Sequence, residues 1–409
     1  MSREIRRDGM LAEGQSPEMP KDRMVVEGQI PEKARAGYLN TGTNGLLPQV
    51  AAEAVADGVR RELEQGRRYP WHSEWGEQVL GELRQELAGF FGVGFHQVAL
   101  TYSTSDAMNV ALAAMRWQPG DEVVTTNLEH PGLLLPLYLL RRRYGVVLRV
   151  VDLGWGHGTP GELAERLGRA VGPRTRLVAL SHVAFGTGAV LPLAEITRLA
   201  HDRGIPVLVD GAQSAGAIPV DVGALGVDFY AVPGQKWLCG PVGTGALLVR
   251  DEILGALELP AIGYAGTERW ETTGYFVPVP GARRFEVAGR FIPAYAGWLA
   301  SLRWLGSLGW AEIHTRTAYL ATRAQALLGG LPGVKLVTPS PEPGLEPAGL
   351  VSFQAEGYTP QRVQEECARA GLQLRTIPEP PCCRISTAFY VAERELEALA
   401  DLLSRLPSH

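Results

Sequence analysis

The chain has 409 residues, 45% of them hydrophobic, and a formal net charge of −5, which suits one large core or two moderate ones and gives no general attraction to nucleic acid or anionic lipid. Four cysteines, at 239, 367, 382 and 383, show neither paired CxxC spacing nor the density of a disulfide scaffold, so a reducing, cytoplasmic setting is expected, with no metal site. Lysine is the scarce cation: four, at 21, 33, 236 and 335, stand against thirty-five arginines, so Lys236 is singled out for its amine rather than its charge.

In chain order, residues 1–24 are charged and carry no apolar signal core, and no run of about 18 apolar residues occurs anywhere, so a loose arm and no membrane span are expected. Residues 47–92 read as two helices packed outside a sheet. From 97 to 250, seven short β-branched runs (98–102, 121–126, 146–151, 176–181, 206–210, 228–232 and 244–249) alternate with amphipathic stretches. That alternation predicts an α/β fold with a mainly parallel seven-stranded sheet and a site at the carboxyl ends of its strands. A long aromatic helix over 293–310 then leads to a smaller C-terminal α/β region: helix 311–329, strands 334–338 and 349–355, helix 360–370, strand 384–388 and helix 392–405. The expected division is an arm over 1–24, a large cofactor-binding domain over 25–290 and a linker helix with a small domain over 291–409.

The chemistry gathers at the strand ends. PVLVDGAQSAG (206–216) ends an apolar strand in Asp210, and a carboxylate there is costly unless a cation or strong donor faces it. It serves either as a turn residue or as the partner of the protonated pyridine nitrogen of pyridoxal phosphate. Lys236 follows one strand later in VPGQKWLCGP, where an internal Schiff-base lysine would sit. Ser103-Thr104-Ser105 precedes an Ala-rich helix, an arrangement that serves as an N-cap or as a phosphate cradle. His130, in NLEHPG after the next strand, is placed to lie over a flat ring.

Together, YLNTGTNGLLP (38–48), STSDAMN (103–109), NLEHPG (127–132), SHVAFGTG (181–188), VLVDGAQSAG and GQKWLCGPVGTGALLV resemble the class V aminotransferase family of fold type I pyridoxal-phosphate enzymes. The resemblance spans roughly residues 37–405. It implies that Thr104 and Ser105 bind phosphate, His130 stacks on the ring, Asp210 pairs with the pyridine nitrogen, Gln213 approaches the ring hydroxyl and Lys236 carries the cofactor. It also implies that Arg384 binds a substrate carboxylate with Arg375 and Asn40 beside it, and that the chain is a homodimer with Gly289 reaching the neighbouring subunit's phosphate.

Departures accompany the resemblance. Pro233-Gly234-Gln235-Lys236 stands where desulfurases commonly have Ser-x-His-Lys, Ala288-Gly289-Arg290 stands where many relatives have a Gly-Thr pair before an arginine, and Phe185 replaces a common asparagine. RTIPEPPCCR leaves no room for the desulfurase cysteine loop, so Cys382 and Cys383 read as buried strand residues. The resulting expectation is a pyridoxal-phosphate enzyme acting at the amino group and Cα of an amino acid, aminotransferase or epimerase-like, with a carbon–sulfur lyase or cysteine desulfurase as the alternative. A nucleotide-binding oxidoreductase is disfavoured because no G-x-G-x-x-G follows a first strand.

Overall fold

The computed structural model describes residue 26, residues 28–340 and residues 347–406. The arm over 1–24 and residues 341–346 lie outside the described residues. The seven runs form one sheet: β1 (Val98–Thr101), β2 (Glu122–Thr126), β3 (Val147–Val151), β4 (Thr175–Ser181), β5 (Val207–Asp210), β6 (Phe229–Pro233) and β7 (Gly245–Val249). Their order is β1-β7-β6-β5-β4-β2-β3. Neighbours are parallel except β7, which runs antiparallel to both β1 and β6. The segment joining β6 to β7 is shorter than the dozen or so residues a parallel crossover needs, so β7 must return the other way. The other six strands therefore end on one edge, as the sequence predicts.

Burial explains the composition of these strands. β5, β6 and β7 are buried along their whole length and are mostly apolar (VLVD, FYAVP and GALLV), whereas β3, at the sheet's edge, exposes Val147 and Val150. Helices Gln49–Gln65 and Trp71–Phe91 pack against helix Ile292–Leu308, whose Tyr295, Trp298 and Leu305 are almost wholly buried. Trp298 bears on the chain beside Lys236: a Cβ at Gly234 would lie 3.0 Å from its ring and one at Gly240 2.6 Å, so only glycine fits there.

Beyond a two-stranded hairpin, β8 (Thr267–Trp270) and β9 (Phe276–Pro278), comes a second sheet. It contains β10 (Val334–Leu336), β11 (Leu350–Ala355), β12 (Arg375–Pro378) and β13 (Pro381–Ser386), in the antiparallel order β10-β11-β13-β12. The structure differs here from the sequence reading, which started the last strand at 384 and placed none over 375–378. RTIPEPPCCR is a tight hairpin, Pro378 opposite Pro381, and its prolines are tolerated because they sit at the turn and on an edge strand. Residues near the beginning join this sheet: Leu39 N–H donates to Gln373 O and Ser386 N–H to Leu39 O, both at 2.9 Å. Asn40–Asn44 is thereby laid beside Arg384.

Candidate active site

Lys236 sits in the turn after β6. Its carbonyl accepts from Cys239 N–H at 3.0 Å, and Cys239 is the one non-glycine residue with a left-handed φ, 51°, among the described residues. Gly45 presses on the same turn, for a Cβ there would lie 1.9 Å from Lys236 O. Backbone strain held at Cys239, in the turn that carries Lys236, is a mark of a positioned segment. The side chain keeps partial access to the cleft, yet burial pushes its pKa down to about 8; Asp210 opposes the shift, and Arg384 and Arg375 add to it.

Asp210 ends β5, buried, with one hydrogen bond from the protein, Ala212 N–H to Oδ1 at 2.8 Å. Burial raises its pKa, against the pull of Lys236. Behind it, Tyr230 Oη lies 2.8 Å from His182 Nδ1 and 2.6 Å from Ser214 Oγ, a buried chain that braces the DGAQ turn. Gln213 is held by the protein at both ends of its amide: Nε2 donates to Gly42 O at 2.8 Å and Oε1 accepts from Trp237 Nε1 at 2.9 Å. It ties the Asp210 turn to the Lys236 turn, and one Nε2 proton is left for a ligand.

A buried acid that sequence reasoning missed stands beside this pair. Glu129 accepts from Thr126 Oγ1 at 2.5 Å and from Ser181 Oγ at 2.6 Å, joining the ends of β2 and β4 next to Asp210. Burial and the Asp210 carboxyl raise its pKa to about 7, while the two hydroxyls hold it down. Its neighbour His130 caps helix Pro131–Tyr144, Nδ1 accepting from Gly132 N–H at 2.9 Å, which leaves the proton on Nε2. The ring is kept neutral, its pKa pushed down to about 4 by burial and then by Lys236, and it meets Phe185 edge-on at 4.8 Å between centroids.

At the start of helix Thr104–Ala114 the two uses of the serine-threonine run separate. Ser103 is the N-cap, accepting from Asp106 N–H at 3.1 Å, whereas Thr104 Oγ1 is buried without a partner among the described residues, and Ser105 is exposed. An orphaned hydroxyl at a helix N-terminus fits an anionic group. Gly289 is exposed nearby, its carbonyl accepting from Tyr102 Oη at 3.3 Å. Arg290 is engaged within its own chain: it donates to Leu100 O and Tyr295 Oη, lies 3.4 Å from Glu286 and stacks on the rings of Tyr102 and Tyr295.

Arg375 and Arg384 face one another as register partners on β12 and β13. Arg384 is wholly buried, and among the described residues neither guanidinium has a carboxylate partner. Arg384 Nη1 donates to Phe185 O at 2.7 Å, Nε has no acceptor, and burial with the Arg375 charge pushes its pKa down to about 9. Two cations left in this state are an incomplete ion pair, with donor geometry that a carboxylate could complete. Asn40 is linked to both arginines through Thr43.

Cys382 and Cys383 are buried in β13, burial raising both thiols, that of Cys382 to about 11. Thiols so poor in thiolate and fixed in a strand are unsuited to carry sulfur between sites. The Cys382→Ser, Cys383→Ser double variant is expected to keep kcat/KM within about threefold of the parent, under ~1 kcal/mol of barrier; a loss beyond tenfold in steady-state assays contradicts this.

A buried strand-end Asp, a lysine turn strained at Cys239 and two arginines opposite one another, on a seven-stranded sheet of this order, are the arrangement of a fold type I enzyme. The family Aminotransferase class-V matches residues 39–399, and the chain belongs to it. It is 32% identical over 385 residues to isopenicillin N epimerase of Streptomyces clavuligerus, covering 90% of this chain and 94% of that protein. To a probable cysteine desulfurase of Methanothermobacter thermautotrophicus it is 35% identical, covering 80% and 83%. The fold superposes at a TM-score of 0.86 on a mutant of C-DES with glycine covalently linked to its pyridoxal-phosphate cofactor, at 32% identity and covering 93% and 99%. C-DES is a cystine C–S lyase.

Proposed function

We propose that this protein is a pyridoxal-phosphate enzyme that works at the amino group and Cα of an amino acid, with Lys236 as the residue that holds the cofactor covalently and moves the proton. The observation that carries the reading is the half-buried Lys236, its amine depressed to about 8, set between Asp210 and an Arg384 that has no carboxylate partner among the described residues. Thr104, Ser105 and the helix start would hold the phosphate, Asp210 the pyridine nitrogen, and His130 one face of the ring. Bound there, the cofactor supplies the electron sink that acidifies the hydrogen on Cα.

The chain's own residues do the rest. Asp210, ionised opposite a cation, keeps the ring nitrogen protonated. Arg384 and Arg375 clamp the α-carboxylate and so fix which Cα bond is presented. Lys236 Nζ takes the Cα proton and returns it, its pKa near neutral suiting both directions. Where the proton returns decides between an aminotransferase and an epimerase, the readings preferred here. The likeness to a cystine C–S lyase supports carbon–sulfur lyase chemistry as the second reading. Incubation with L-cystine and with a panel of L-amino acids, followed by product analysis, separates them: racemised amino acid or keto acid without sulfur release supports the first, and pyruvate with persulfide from cystine selects the second.

The amine's depressed pKa has a kinetic consequence. A protonated amine does not attack an aldehyde, so covalent capture of pyridoxal phosphate by the apoprotein should accelerate about tenfold per pH unit below about 8 and level off above it. Stopped-flow absorbance measures this. A rate that keeps climbing toward the ordinary lysine value of 10.5 contradicts the desolvated amine.

A homodimer is part of the proposal. Tyr264, Trp270, Tyr275, Phe276 and Phe291 are exposed around the β8–β9 hairpin, close in sequence to Gly289, and apolar surface of that extent suits burial against a second copy. With Arg290 engaged in its own chain, only the backbone at Gly289 is left to reach a partner's phosphate. Sedimentation giving a fully active monomer would exclude this arrangement.

A further inference from the structure

We infer that Thr43 is the positioning residue of the carboxylate subsite, its hydroxyl fixing the separation and aim of Arg375 and Arg384; this rests on the reading of that pair as the clamp for an amino acid's carboxylate. Thr43 Oγ1 donates to Asn40 Oδ1 at 2.7 Å and accepts from Arg375 Nη1 at 3.2 Å and from Arg384 Nη2 at 3.4 Å. One donor and two acceptors are all that a hydroxyl has. Thr43 therefore has nothing left to offer a ligand, and what it does for the site it does through the arginines.

The need for such a group follows from the register. Arg375 and Arg384 stand directly opposite each other on antiparallel strands, and like charges there repel. Arg384 is trapped, wholly buried and bonded to Phe185 O, while Arg375 is only half-buried, with solvent on its open side. Among the described residues the Thr43 oxygen is the one acceptor that both guanidinium groups share, so it draws Arg375 inward to where a carboxylate would meet both. Asn40 acts one step further back: by accepting the hydroxyl proton it turns the two lone pairs of Oγ1 toward the arginines. The Asn40–Thr43 turn reaches this place because Leu39 is hydrogen-bonded between Gln373 and Ser386.

The test uses holoenzyme, titrated by absorbance with glycine, and with methylamine as the same amine without its carboxylate. Thr43→Val, nearly the same shape without the hydroxyl, should raise the apparent dissociation constant for glycine about 10- to 100-fold, the range for hydrogen bonds to charged groups. The methylamine constant should move less than threefold, and Thr43→Ser should restore glycine binding to within about threefold. An unchanged glycine constant in Thr43→Val overturns the inference. So does an equal rise for both amines, a loss of bound cofactor, or failure of Thr43→Ser to restore binding. If the parent holoenzyme responds to neither amine, the proposed function itself has failed, a result distinct from all of these.

Discussion

Replacing Lys236 by alanine is expected to lower kcat by more than about 10³-fold and to abolish covalent attachment of the cofactor while leaving it able to bind. A positioned general base alone contributes about 10²–10⁴ in rate, and Lys236 is asked to be nucleophile as well. The neighbours are poorer bases or bonded elsewhere: His130 is pushed down to about 4, and the Glu129 carboxyl is taken up by Thr126 and Ser181. Gln235 has no basic group, the Cys239 thiol is buried and pushed up to about 12, and the remaining described lysine closest in chemistry, Lys335, lies over the Trp155 ring in the small sheet. Steady-state assays and gel filtration of the coloured protein would measure both effects. Residual turnover above 10% of the parent contradicts the role given to this amine.

The second large effect is at Arg384, and its interest is that activity and stability should part. Arg384→Met is expected to lower kcat/KM by about 2–5 kcal/mol, about 30-fold to several thousand-fold, because the substrate carboxylate loses its buried partner. The apoprotein should lose little or no stability. Its wild-type guanidinium is wholly buried, has an Nε without an acceptor, faces a like charge across the register and has no carboxylate among the described residues. Replacing such a group by an apolar side chain of similar volume is often neutral or stabilising. The hydrogen bonds lost, to Phe185 O and Thr43 Oγ1, cost about 1.5–3 kcal/mol as bonds to a charged group, and relief of the buried guanidinium that faces a like charge offsets them. Thermal unfolding of the apoprotein beside kinetics of the holoenzyme checks the pair of claims; a variant that is both active and unstable reverses them.

Much of the fold was legible because buried parallel strands leave an unmistakable trace: runs of Val, Leu and Ala ending in Asp210, Thr126 or Pro233, at nearly the residues where the strands stop. Lys236 was legible because lysine is scarce here, so its place in a glycine-rich turn stood out. β12 was not legible. Pro378 at its end and Pro380 and Pro381 just after it read as breakers, and only their place at the turn and on the edge makes them harmless. Glu129 and Thr43 were missed for a different reason. Each works through hydrogen bonds to residues distant in the chain, Ser181 for one and Arg375 with Arg384 for the other, and nothing local distinguishes a buried, fully bonded Glu or Thr from a solvated one. The reversed direction of β7 follows from a short connection that length alone predicts, once the strand ends are known.

The central claim is that the site is organised around one covalent attachment at Lys236, and a direct measurement is available. Holoprotein reduced with borohydride and digested should yield a single pyridoxyl-labelled peptide carrying the modification on Lys236. With only four lysines in the chain, at 21, 33, 236 and 335, the assignment is unambiguous. A label on Lys21, Lys33 or Lys335, or a protein that takes up no label at all, would contradict the account.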